Sequence, residues 1–273
     1  MPDNHFPAME DFGRRFSTAV ERSGKKKEYL EKWGLGSVDE GLELFRRNVQ
    51  GGYDSHKHAM LSAPVEGTAL NIGPGMGFCV FLLAELFRSV MVAEPDSGNC
   101  RLLESIAKHY ITAAGTAAAE NVQVIHAGFA ITEEAAKYWE AKQELLKKRN
   151  RRGSILNFDI RGAAELTTVS RARADRIYFH KVLSSFSISN SFGDVLNQAA
   201  GCLSPKGVIT WAEPDYIFSD IVAGGEEHQL QPAIKHAMGS CGLEFKTELY
   251  PVTETASQPP VTEHWTLIEA WRT

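Results

Sequence analysis

The stretch Thr68-Ala-Leu-Asn71-Ile-Gly73-Pro74-Gly75-Met-Gly77 holds the residues whose types and spacing most clearly suit chemistry. An apolar run from Phe78 to Phe87 follows it. Strand, glycine-rich turn and helix in that order present bare backbone N–H groups to a ligand. Glycine suits the turn because a side chain would block the approach and because such turns call for positive φ. A second apolar stretch, Ser89 to Glu94, ends in an acid followed by Pro95 and Asp96. A carboxylate at the end of a second strand can accept both hydroxyls of a ribose, so the pair predicts a nucleoside cofactor.

Other polar groups stand near strand ends. Glu213 and Asp215, in Trp211-Ala-Glu-Pro-Asp-Tyr216, close the fifth predicted strand. A carboxylate there either binds a cationic amine or acts as base, or else caps the following turn. His180 ends the fourth predicted strand, as a base or substrate contact or as a partly buried histidine bonded to backbone. Tyr53, His56 and His58 lie in the polar segment 51–58, read either as a lid that closes over the cofactor or as a solvated loop. His-x-His spacing without a third ligand predicts no metal. The run Lys147 to Arg152 ends an inferred helix, where cations favour the helix dipole, and reads as a solvated helix end rather than a phosphate contact.

The elements that must position these groups follow from periodicity. Residues 9–33 are helical in pattern, with Phe12, Phe16, Val20, Tyr29, Leu30 and Trp33 as the apolar side. A second helix runs from Val38 to Val49 behind Ser37 as N-cap, with Glu40 in the capping-box position. Strands are predicted at 68–73, 90–94, 122–127, 175–180 and 207–213, alternating with helices, which argues for a parallel sheet covered on both faces. The segment 154–160 is either an extra strand or the true third one. Residues 226–241 form a helix, and 244–252 with 264–271 form a closing strand pair around Pro259 and Pro260, which cannot sit in a central strand. The chain thus divides into a helical cap and lid at 1–66 and a domain at 67–273, with a helical insertion near 129–153.

With 273 residues, 43% of them hydrophobic, the chain has enough material for one α/β domain and an accessory element. The net charge of −5 gives no global reason to expect nucleic acid, which needs clustered Lys and Arg. Cys79, Cys100, Cys202 and Cys241 are widely spaced and read as buried free thiols. The first residues lack a basic, apolar leader and no run reaches the length of a membrane span, so a cytoplasmic protein without a membrane partner is expected.

Taken in order, these blocks resemble the class I S-adenosylmethionine-dependent methyltransferases over roughly residues 67–273. The likeness rests on Leu70-Asn-Ile-Gly-Pro-Gly-Met-Gly77, on Glu94, on Ala174-Asp-Arg-Ile-Tyr-Phe-His180-Lys-Val-Leu183, on Cys202-Leu-Ser-Pro-Lys-Gly207 and on Ser240-Cys-Gly-Leu-Glu-Phe245. The resemblance implies an α/β, Rossmann-like, seven-stranded and mostly parallel sheet with its last strand antiparallel, behind the N-terminal helical cap. It implies S-adenosyl-L-methionine as cofactor, its methionine part against Gly73, Pro74, Gly75 and Gly77, and its ribose on Glu94 with Pro95. Gly128 and Phe129 would flank the adenine, Tyr53 would close over the cofactor, and His180 would face the acceptor. Two positions depart from the family pattern. Asn71 stands where an acid is common, and Phe129 or Ala163 stands where an Asp is common.

A fainter similarity to histamine N-methyltransferase and its relatives lies in Phe12-Gly-Arg-Arg-Phe16, Val92-Ala-Glu-Pro-Asp96, Glu120-Asn-Val-Gln-Val124 and Leu267-Ile-Glu-Ala270. The expected activity is methyl transfer to a small-molecule N or O acceptor, with Glu213 and His180 at the acceptor end. The alternative is a protein of this fold that binds the cofactor without methylating, or that runs another reaction on it. A nicotinamide enzyme is disfavoured, because its fingerprint needs a small residue where this chain has Phe78.

Overall fold

A computed structural model describes residues 6–49, 52–129, 164–166, 173–183 and 192–272. Four helices precede the sheet: α1 (Met9–Arg22), α2 (Lys26–Trp33), α3 (Val38–Arg46) and α4 (Tyr53–Leu61). Then come β1 (Thr68–Ile72), α5 (Phe78–Leu86), β2 (Ser89–Glu94), α6 (Ser97–Ala107), β3 (Val122–Gly128) and the two-residue β4 (Ala164–Glu165). The second half contributes β5 (Ala174–His180), α7 (Phe192–Gly201), β6 (Leu203–Pro214), α8 (Asp215–Val222), α9 (Leu230–Ser240), β7 (Leu243–Glu254) and β8 (Val261–Arg272).

The sheet order is β4-β3-β2-β1-β5-β6-β8-β7. Every described pairing is parallel except those of β8, which runs antiparallel to both β6 and β7. Seven long strands with the last reversed make the Rossmann-like methyltransferase sheet, with β4 added at one edge. The strand 122–128 pairs with β2 and is therefore the true third strand. The segment 154–160, the insertion near 129–153 and the basic run at 147–152 lie outside the described residues.

Three expectations are corrected. The helix expected over 9–33 is two helices, because Gly24 takes a left-handed φ of 70° between them. Strand β6 begins at Leu203, so the turn expected at 202–207 lies within the strand. The polar segment expected as a loop before β1 is a helix from Tyr53, with Ser55 and Ala59 buried and Asp54 and Lys57 exposed. Helix α8 was not foreseen at all. Ser37 caps α3 as expected by accepting from the Glu40 N–H, while the Glu40 carboxylate accepts from Gly36 N–H rather than from Ser37.

Helix α5 is apolar all round and buried from Phe78 to Ala84, because it is sandwiched between the sheet and the N-terminal helices. Phe78 is where those helices anchor. Phe45 stacks on its ring at 4.5 Å, Phe16 lies at 4.9 Å and Phe12 at 6.4 Å. The residue that disfavours a dinucleotide fingerprint is thus the seat of the cap. Of the four cysteines, all free, Cys79, Cys100 and Cys202 are buried and Cys241 is half-buried.

Helix α4 is held along its length by one face of β5. Arg176, Tyr178 and His180 alternate on the strand and so point the same way. The Arg176 guanidinium donates to the carbonyls of Ala59, Met60 and Ala63 and to Ser62 Oγ, filling acceptors at the helix C-terminus. Tyr178 Oη lies 3.1 Å from His56 Nδ1, and His180 Nε2 lies 2.8 Å from Ser55 Oγ. A polar helix can bury one face here because the strand supplies it with partners along its length.

Candidate active site

In a doubly wound sheet a crevice opens where the strand order reverses. Here that place is between β1 and β5, since the chain runs outward from β1 to β3 and then returns to β5 on the other side. The C-terminal ends of β1, β2, β3, β5 and β6 carry the glycine turn, Glu94, Gly128, His180 and Glu213. Ile72 is in register with Phe179, so Gly73 and His180 begin the two lips of the crevice together.

The glycine turn keeps its residues for reasons the geometry states. Gly73 has φ 66° and a Cβ there would stand 2.8 Å from Val182 Cγ1. At Gly77, φ is 93° and a Cβ would meet Leu103 Cδ2 at 2.7 Å. At Gly75 an added Cβ meets nothing within 4 Å, so the space before that backbone is open. Gly77 caps α5 without a side chain, which leaves the first helical N–H groups facing the turn. Pro74 is buried within it.

Glu94 is the centre of a polar network. Its Oε1 accepts from Asp96 N–H at 2.8 Å and its Oε2 from Asn99 Nδ2 at 2.7 Å. Asn99 Nδ2 also donates to the Gly75 carbonyl at 3.1 Å, joining the carboxylate to the glycine turn. Asp96 caps α6 by accepting from Asn99 N–H. Burial pushes the Glu94 carboxyl up to about 7, opposed by its bonds to Asp96 and Asn99 and by nearby Lys32. A carboxylate has about four acceptor positions, so two remain for diol hydroxyls. A hydrogen-bonded buried carboxylate tied to an open glycine turn fits a nucleoside whose chain runs along the turn.

Asn99 was missed in the sequence. The signal is its place three residues after the N-cap Asp96, where a side chain reaches back over the helix start.

The other expected cofactor contacts are placed as follows. Pro95 packs against Gly128, where a Cβ would lie 3.1 Å from Pro95 Cβ, and the Pro95 carbonyl lies 3.0 Å from His126 Nε2. Phe129 is buried with its ring 6.2 Å from that of Phe179. The Tyr53 hydroxyl donates to the Pro7 carbonyl and its ring packs on Phe6 and Phe45, so the structure ties it to the cap rather than to the glycine turn. Asn71 is buried and accepts from the Cys79 thiol at 2.9 Å, an internal contact rather than a ligand-facing one.

At the end of β5, His180 stacks on His56 with ring centroids 3.7 Å apart and lies 5.1 Å from the Trp265 ring. Ser55 Oγ sits between His180 Nε2 and Tyr250 Oη, at 2.8 and 3.0 Å. Burial lowers His56 to about 3, and burial, then His56 and Lys181, lower His180 well below the usual imidazole range. Both rings are neutral near pH 7.

Glu213 is fully buried. Its Oε1 accepts from Val182 N–H, Leu183 N–H and Trp211 Nε1, at 2.5, 2.6 and 3.2 Å, and so clamps the chain that leaves β5. Its Oε2 has no partner among the described residues, and burial raises the carboxyl to about 7. Asp215 accepts from the Thr266 hydroxyl at 2.6 Å. No group of three or more potential metal ligands occurs among the described residues, and no described helix is long and apolar enough to cross a membrane.

Strand order, glycine turn and strand-end carboxylate together define the class I S-adenosylmethionine-dependent methyltransferase fold. Comparison with known proteins returns no matching family model and no matching curated sequence. Among solved structures, a SAM-dependent methyltransferase from Leishmania major is 14% identical over 90% of this chain and 82% of its own, with a TM-score of 0.48. The precorrin-6y C5,15-methyltransferase of Geobacter metallireducens is 11% identical, covering 81% and 89%, at 0.47. A ribosomal protein L11 methylase from Lactobacillus delbrueckii is 13% identical, covering 80% and 76%, at 0.45.

Proposed function

We propose that this chain is an S-adenosylmethionine-dependent methyltransferase acting on a small-molecule N or O acceptor. The observation that carries the reading is the Gly75–Asn99–Glu94 network at the switch point, with open space before Gly75. Glu94 would hold the ribose hydroxyls, the glycine turn the methionine part, and Pro95 with Gly128 the base. When bound, the cofactor supplies an electrophilic methyl group for in-line displacement.

The protein's own contribution is then placement and exclusion of water. His180, stacked and neutral, and Glu213, whose Oε2 has no partner among the described residues, would stand at the acceptor side of the crevice. Either can take a proton from a nucleophile or hold its N–H. The net charge of −5 favours a small acceptor over nucleic acid. Four free thiols suit a reducing, cytosolic setting.

One observation favours a second reading, in which the cofactor is bound but not used for methylation. The His180 Nε2 and Glu213 Oε1 atoms are both occupied by structural bonds. Turnover separates the two. With methyl-labelled cofactor and pooled amines and phenols, the first reading expects label in a small product and about a hundredfold less with Glu213→Gln, the lower end of a general base's usual contribution. Binding of cofactor with no labelled product from any pool supports the second.

A further inference from the structure

A buried ion pair joins the cap to Asp96, two residues after Glu94. Lys32, on α2, places Nζ 2.9 Å from Asp96 Oδ2, with the Asp96 side chain 1% exposed and that of Lys32 10%. Three residues earlier on the same helix, the Tyr29 hydroxyl donates to the carbonyl of Met76 in the glycine turn at 3.2 Å. One face of α2 therefore rests on both halves of the cofactor site, the turn after β1 and the acid after β2.

The pair lies one link from Glu94. The backbone N–H of Asp96 holds Glu94 Oε1, and Asp96 Oδ1 holds the N–H of Asn99, whose side chain holds Glu94 Oε2. Asp96 thus fixes both oxygens of Glu94, one directly and one through Asn99. Lys32 fixes Asp96.

We propose that Lys32 is a positioning residue of the cofactor site, coupling the docking of α2 to the orientation and ionisation of the Glu94 carboxylate. This rests on the reading of Glu94 as the ribose contact. Two carboxylates one residue apart repel, and a cation bound to one of them relieves both. The groups that face Glu94 are Asp96 at the start of α6, whose charge favours its neutral form, Asn99 from α6 and Lys32 from α2, which favour the charged one, and the Cys100 thiol, which donates to the Glu94 backbone carbonyl. His126 pairs with Glu94 in register on β3, its ring turned to the Pro95 carbonyl. Lys32 is the cation that the described residues bring to this cluster from the cap.

The test is calorimetric affinity for S-adenosylmethionine between pH 6 and 9, for wild type, Lys32→Met and Lys32→Arg. Protons and ribose hydroxyls compete for the same oxygens, so wild-type affinity is present above about pH 7 and lost as pH falls. Lys32→Met is expected to bind about tenfold more weakly near neutrality with its acid limb moved up by about one unit, the same factor on a pKa scale. Lys32→Arg restores both. Wild-type affinity and an unmoved limb in Lys32→Met overturn the inference.

If Lys32→Met does not fold, because it leaves Asp96 buried and unpaired, the Lys32→Met/Asp96→Asn pair removes both charges together. It is expected to melt close to wild type yet bind about fivefold more weakly at pH 8.5, where the remaining effect is placement of Glu94 by the docked helix. Unchanged affinity there also overturns the inference. Failure of the wild-type chain to bind the cofactor at any pH is a different result and removes the proposed function instead.

Discussion

Replacing Arg176 by Met lowers the unfolding free energy by about 3–5 kcal/mol, the cost of removing one member of a buried charged network. In a chain of this size that corresponds to a fall in Tm of roughly 10 °C. The guanidinium is 2% exposed and satisfies three carbonyls at the end of α4, two hydroxyls, of Ser62 and Thr210, and part of the charge of Glu269. Methionine has the length but no donor, so those carbonyls stay buried without partners.

The same change loosens α4 and with it the contacts of Ser55 and His56 to β5, so acceptor-side activity falls with stability. Lysine restores the charge but not the fork that reaches several acceptors at once, and recovers only part of the loss. Denaturant unfolding of both variants checks the order wild type, Lys, Met. A loss below about 1 kcal/mol for Met, the range of an exposed ion pair, would show that α4 holds itself in place.

Glu94→Gln weakens cofactor binding by about a hundredfold while leaving the fold intact. Two hydrogen bonds from hydroxyls to a charged oxygen contribute about 1.5–3 kcal/mol each, and losing roughly 3 kcal/mol is a factor of about 10² in Kd. The amide keeps one acceptor for the Asp96 N–H but sets an NH₂ against the NH₂ of Asn99. The loss is read at pH 8, where the wild-type carboxylate is ionised. Below pH 7 the wild type converges on the variant, because its own carboxyl, raised to about 7 by burial, takes up a proton. A variant that binds as tightly as wild type at pH 8 would reduce Glu94 to a cap on the α6 start.

Much of this fold is legible in the chain because its central strands are continuous apolar runs ended by glycine or acid. Strands β1, β2, β3 and β5 lie within one residue of their expected limits. The glycine turn is legible for the same reason: nothing else explains three glycines between an apolar strand and an apolar helix. Helix α4 was not, since Gly-Gly-Tyr-Asp-Ser-His-Lys-His reads as loop when its partners are unknown. Those partners, Arg176, Tyr178 and His180, lie more than a hundred residues away and become visible only once β5 is placed.

The roles of single polar groups were hidden in a similar way. Lys32 reads as one charge on a charged helix until α2 is laid across the end of β2. Glu213 reads from sequence as catalyst rather than cap, and the three donors on its Oε1 come from backbone and ring groups with no sequence signature. Tyr53 precedes β1 as an aromatic lid residue would, yet it is spent on the Pro7 carbonyl.

The central claim is that the crevice between β1 and β5 takes S-adenosylmethionine. Its most direct test is a calorimetric titration of the intact chain at pH 8 with that cofactor and, in parallel, with NAD. The account predicts saturable binding of S-adenosylmethionine at one site per chain and no heat with NAD. Binding of NAD without binding of S-adenosylmethionine would contradict it.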